Sequence, residues 1–139
     1  MIKDIVKDDP ILGQPCEPAT AEDAAVVQDL LDTMADSEEA ACLAANQIGV
    51  AKAVFVYRDK KQHTHAMFNP VLKRGLRPQR VKEGCLSHEE ETKSRRYDQI
   101  VVEFDELKDG ALVHRRREFA GWTAQMIQHM IDHCNGRLV

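Results

Sequence analysis

The chain has 139 residues, 43% of them hydrophobic and 30% charged, which suits one globular domain over residues 1–139 and excludes a disordered chain or two ordinary domains. A net charge of −4 and a pI near 5.8 give no general attraction to phosphate backbones, so nucleic acid is not an expected partner. No apolar run is long enough to span a membrane, and Met1-Ile2-Lys3-Asp4 lacks the apolar stretch of a signal peptide, so a cytoplasmic protein with no membrane partner is expected.

After Pro10, Pro15 and Pro18, Thr20 is a helix N-cap candidate, with Asp23 at the third position of a capping box. Val27, Leu30, Leu31 and Met34 then recur at helical spacing and mark one buried face. Residues 53–57, 66–72 and 100–104 are short, β-prone runs. Lys108-Asp109-Gly110 is a turn signal, so 100–104 and 111–119 read as an antiparallel hairpin. Alternation splits the basic run His114-Arg115-Arg116-Arg117 between two faces of a solvated edge. Helical character returns over 122–135, and Gly136 stands where a helix end favours positive φ. Helix, strands, helix is an α+β order.

The last helix holds the strongest chemical signal. His129 and His133 are four residues apart, so both imidazoles leave one face within reach of one ion, a pairing suited to zinc or ferrous iron. Spacing alone also fits two partly buried polar side chains on an amphipathic helix. In hydrolases with a His-Glu-x-x-His helix, the Glu beside the first ligand moves the proton of the attacking water. Met130 occupies that position here, and its thioether matches Glu in length without titrating. Four cysteines without a secretory signal read as reduced thiols or metal ligands.

Three segments together resemble the peptide deformylases, which remove the formyl group from formyl-methionyl peptides with a metal held by one Cys and two His. Ala40-Ala41-Cys42-Leu43-Ala44-Ala45-Asn46-Gln47 is similar to the first family motif, Glu83-Gly84-Cys85-Leu86-Ser87 to the second, and Gln128-His129-Met130-Ile131-Asp132-His133 to the third apart from Met130. The likeness also takes in Gln47-Ile48-Gly49-Val50, Phe68-Asn69-Pro70 and Arg96-Tyr97. It implies a peptide-deformylase-like α+β fold, antiparallel sheets packed around a metal-bearing C-terminal helix. It implies Cys85, His129 and His133 as ligands of one divalent ion, Fe(II) or Zn(II), with nickel or cobalt also accommodated. It further implies Gln47 and the Leu86 N–H as donors to the developing oxyanion, an orienting role for Glu83, and substrate contacts at Cys42, Leu43, Glu83 and Gly84. The partner would be a formyl-methionyl peptide or nascent-chain N-terminus, and the protein a monomer or homodimer.

The departures bear on activity. With Met130 in place of Glu, hydrolysis should be strongly reduced, since acid-base catalysis typically contributes ~10²–10⁴-fold; the alternative is a non-catalytic pseudoenzyme that binds formyl peptides or another partner. Ala40 and Cys42 replace glycines of the first motif and narrow the approach of an extended peptide. Cys42 is read as a packed residue or a second thiol near the metal. His88 follows Cys85 at Cys-x-x-His spacing within the acidic stretch His88-Glu89-Glu90-Glu91, read as a solvated loop or as a fourth ligand.

Overall fold

A computed structural model describes residues 1–7, 9–37, 40–85 and 88–137, with backbone alone at 9–10, 82, 84–85 and 88–94. Thr20 caps as its sequence predicts. Its hydroxyl accepts from the Glu22 N–H at 3.3 Å and its own N–H donates to Asp23 Oδ2 at 2.8 Å. The first turn, Ala21–Asp23, is a 3-10 helix that leads into α2 (Ala24–Ala35); a short α1 (Asp9–Leu12) precedes both.

Five strands follow: β1 (Cys42–Ala44), β2 (Val54–Arg58), β3 (Thr64–Cys85), β4 (His88–Lys108) and β5 (Ala111–Ala120). They form one antiparallel sheet in the order β1-β2-β3-β4-β5. Asp109 and Gly110 have φ of 52° and 80° and join β4 to β5 in two residues, as an Asp-Gly hairpin requires. The basic run divides as alternation predicts: His114 and Arg116 pair with Glu103, Arg115 and Arg117 with Glu106.

Two strands exceed their sequence-based limits. β3 continues past Leu72 to Cys85, and β4 begins at His88, well before Ile100. Residues 73–80 show no alternation because all of them but Gly75 are exposed, so neither face of the arm selects apolar residues. Gly75 is required there, since a Cβ would lie 2.3 Å from the Tyr97 ring. β1 adds a strand that the sequence pattern does not mark, since three residues are too few to show a period.

β2 is buried on both faces, and its residues sort between two cores. Phe55 and Tyr57 join Met67, Ile100, Val102 and Phe104 against α3 (Gly121–Cys134), while Val54 and Val56 join Leu43 and Phe68 against Leu30 and Met34 of α2. The predicted face of α2 therefore meets the sheet, and α3 covers the opposite side. Gly136 ends α3 at φ 74°, its N–H bonded to the His133 carbonyl while Arg137 N–H reaches the Asp132 carbonyl, a Schellman-type stop.

Candidate functional site

Six consecutive residues of α3, Gln128 to His133, are buried, so its polar members need partners. Gln128 supplies its own: Nε2 donates to the Tyr97 carbonyl at 2.8 Å and Oε1 accepts from the Tyr97 N–H at 2.8 Å. This two-bond clasp fixes α3 to β4. One position on, His129 Nδ1 meets Glu83 Oε1 at 2.9 Å. Glu83 also accepts from Arg96 Nε at 3.0 Å and Nη2 at 2.7 Å, and Arg96 Nη1 donates to Asp132 Oδ2 at 2.6 Å. The guanidinium thus spans β3, β4 and α3 with a fork that a lysine could not reproduce.

Electrostatics follow from this chain of contacts. Burial raises the Glu83 pKa, but hydrogen bonds from His129 and Arg96 outweigh it and hold the carboxyl at about 2. Glu83 is therefore an ionised acceptor, and His129 Nδ1 must be the donor. That tautomer leaves Nε2 facing away from Glu83, the carboxylate–histidine arrangement that orients metal-ligating imidazoles. Burial likewise lowers the Arg96 pKa, and its two carboxylate partners more than reverse that.

His129 Nε2 lies 3.2 Å from His133 Nε2, with ring centroids 5.0 Å apart and planes inclined at 59°. Two nitrogens each bound at 2.0–2.1 Å to a tetrahedral ion would be separated by about 3.3 Å. The pair thus fits a shared divalent cation. Among the described residues no group of three or more His, Cys, Asp or Glu side chains gathers at ion-binding distance. The third predicted ligand, Cys85, ends β3 opposite His88 in register, but only the backbone of Gly84, Cys85 and His88 is described, and Leu86 lies outside the described residues altogether.

The other predicted residues line up along 40–47. Gln47 is buried in the 3-10 helix Ala45–Ile48, and its Oε1 accepts from the Ala44 N–H at 3.0 Å, which fixes the orientation of the carboxamide. Cys42 is partly buried against the α3-side core, the same side of the sheet as His129. Leu43 points the other way and its side chain is in the α2-side core, so toward α3 it presents only its main chain. Met130 is 1% exposed and packs with Phe55, Met67 and Ile127.

Arg96, Asp132 and Gln128 join this network without a role that their own sequence neighbourhoods announce. Arg96 and Asp132 are 36 residues apart in the chain, so no local spacing connects them. Asn46 Nδ2 donates to the His133 carbonyl at 2.8 Å, and Ala40 and Ala41 line a cleft with Trp122. Segment 40–47 and α3 therefore run side by side in the same direction, with His133 at one end and Trp122 at the other.

Comparison with known proteins agrees with this architecture. The polypeptide deformylase family matches residues 2–139. The peptide deformylase of Clostridium beijerinckii is 40% identical over 140 residues, covering all of both chains. Peptide deformylase 2 of Streptomyces avermitilis is 39% identical over 137 residues, 92% of this chain and 72% of that one. The crystal structure of a peptide deformylase from Legionella pneumophila superposes with a TM-score of 0.88 at 27% identity, covering 99% of this chain and 83% of that one. The enzyme from Thermus thermophilus gives 0.86 at 28% identity, with 99% and 83% covered.

Proposed function

Because the chain belongs to the polypeptide deformylase family, whose members remove N-formyl groups from nascent peptides, we propose that it is a metal-binding member that receives formyl-methionyl N-termini and hydrolyses them far more slowly than a member with Glu at position 130. The observation that carries this reading is the contrast within one helix turn: His129 and His133 converge at 3.2 Å, while Met130 between them is packed in the apolar core.

His129, His133 and Cys85 would hold the ion, Fe(II) or Zn(II) by donor type, with nickel or cobalt also accommodated. When bound, it supplies Lewis acidity to the formyl carbonyl and the attacking water. The protein's own groups do the rest. Glu83, kept ionised by Arg96, holds the His129 ring in the tautomer that offers Nε2. Gln47, its Oε1 accepting from the Ala44 N–H, would donate through Nε2 to the carbonyl oxygen as negative charge develops, and the Leu86 N–H would be the second donor. Cys42, Leu43 and Gly84 would border the bound peptide. Met130 can neither take a proton from water nor deliver one to the leaving amine.

The test uses the native, metal-loaded protein: calorimetric titration with formyl-Met-Ala-Ser, together with formate release over time. Saturable binding with slow formate release is expected. Absence of both binding and release at millimolar peptide overturns the reading, and binding with no release at all favours a pseudoenzyme that captures formyl peptides.

A further inference from the structure

Of the four cysteines in the chain, Cys85 and Cys42 belong to the site described above, and Cys16 and Cys134 have no part in it. These two are brought together from nearly opposite ends of the sequence. Cys16 lies in a strap, residues 14–17, that crosses the last turn of α3, and its N–H donates to the Cys134 carbonyl at 2.9 Å. The crossing is close: a Cβ at Gly136 would lie 2.3 Å from the Gln14 carbonyl carbon and 2.5 Å from Pro15 N. The next residue of the strap is held as well, since the Glu17 N–H donates to the Ala51 carbonyl at 3.0 Å and the Glu17 carbonyl accepts from the Ala53 N–H at 2.8 Å. Main-chain bonds therefore fix Cys16 against the end of the helix.

In a sheet, a backbone bond of this kind sets paired Cα atoms about 5.5 Å apart, within the roughly 4.4–6.8 Å that a disulfide spans. The two thiols are also within electrostatic reach: burial pushes the Cys134 thiol up to about 12, and charge on Cys16 pushes it the same way. We propose that Cys16 and Cys134 are a redox-sensitive pair that closes into a disulfide when a low-molecular-weight disulfide such as oxidised glutathione is present. Cys16 is partly buried and Cys134 buried, so Cys16 reacts first. Its sulfur loses a proton, attacks one sulfur of the small disulfide and releases one small thiol. The Cys134 sulfur then loses its proton, attacks the Cys16 sulfur and releases the second small thiol. Two protein thiols are oxidised to one cystine while the small disulfide is reduced to two thiols. The cross-link closes nearly the whole chain into a loop and pins the strap to the helix turn that carries His133, whose carbonyl already accepts from Asn46 Nδ2 at 2.8 Å. Long closed loops gain most from such a tether.

The experiment equilibrates the native, zinc-loaded protein in mixtures of reduced and oxidised glutathione and alkylates the thiols that remain free. Mass spectrometry of the digest reads the links, and calorimetry reads the melting temperature. The oxidised protein should be lighter than the reduced one by two hydrogens, yield peptides joined through Cys16 and Cys134, and melt roughly 10 °C higher, with dithiothreitol reversing all three. Cys16→Ser, at the more accessible position, should keep the fold and lose both the link and the shift. Cys134→Ala should lose them by removing the other sulfur. Free Cys16 and Cys134 in the most oxidising mixture overturn the proposal, as does glutathione retained on Cys16 alone or a link made instead through Cys42 or Cys85. A Cys16–Cys134 link that leaves the melting temperature unchanged or lowers it overturns the tether.

Discussion

On one side of α3, Gln128, His129, Asp132 and His133 are buried among hydrogen-bonding partners; on the other, Ile127, Met130, Ile131 and Cys134 are buried among Phe55, Met67 and Ile100. The two sides hold the same helix by different physics. The polar side gains little net stability from burying charge, because desolvation offsets attraction, but it tolerates only one arrangement of Glu83, Arg96 and His129. The apolar side gains stability from area and packing and is indifferent to small shifts in angle. Met130 follows His129 in the helix, and its side chain belongs to the apolar set. On the function proposed above, the polar side would orient an ion's ligands, and Met130 would stand where a proton has to be moved.

Breaking the polar side should have the largest effect. Arg96→Met removes the shared donor and leaves Glu83 and Asp132 as buried carboxylates, a loss of roughly 3–5 kcal/mol in urea unfolding; a loss under about 1 kcal/mol would mean that the network is ornamental. The apolar side has its own titration. Burial raises the Tyr57 phenol from 10.0 to about 12. Because the folded value lies above the unfolded one, this contribution is intact below pH 10 and disappears as pH rises to about 12. Unfolding free energy should fall by on the order of 2 kcal/mol across that interval, and the fall should be smaller in Tyr57→Phe. Arg137→Ala should change stability by under about 1 kcal/mol, since Arg137 meets Asp132 at 3.5 Å from an exposed position. A large effect there would extend the polar side to the end of the helix.

Much of this division was legible in the sequence where it rests on short-range pattern. The His129–His133 spacing, the Gly136 stop, the Asp109-Gly110 hairpin and the α2 stripe are all set within a few residues, and the fold agrees with them. The hub was not legible, because Arg96 joins Glu83 and Asp132 across 13 and 36 residues, and no spacing in the sequence connects the three. The long arm of β3 was missed for another reason: with most side chains exposed, residues 73–80 have no inward face to impose a period. Met130 was visible as a departure from a motif. That it packs with Phe55 and Met67 required the sheet.

The most direct test of the account is the formyl-Met-Ala-Ser turnover of Met130→Glu beside the native protein, at equal metal content and with both shown folded. If the site is complete except for its proton-transfer group, kcat should rise by about 10²–10⁴-fold in the variant. A folded, metal-loaded variant no faster than the native chain would contradict the claim that Met130 is what holds activity down.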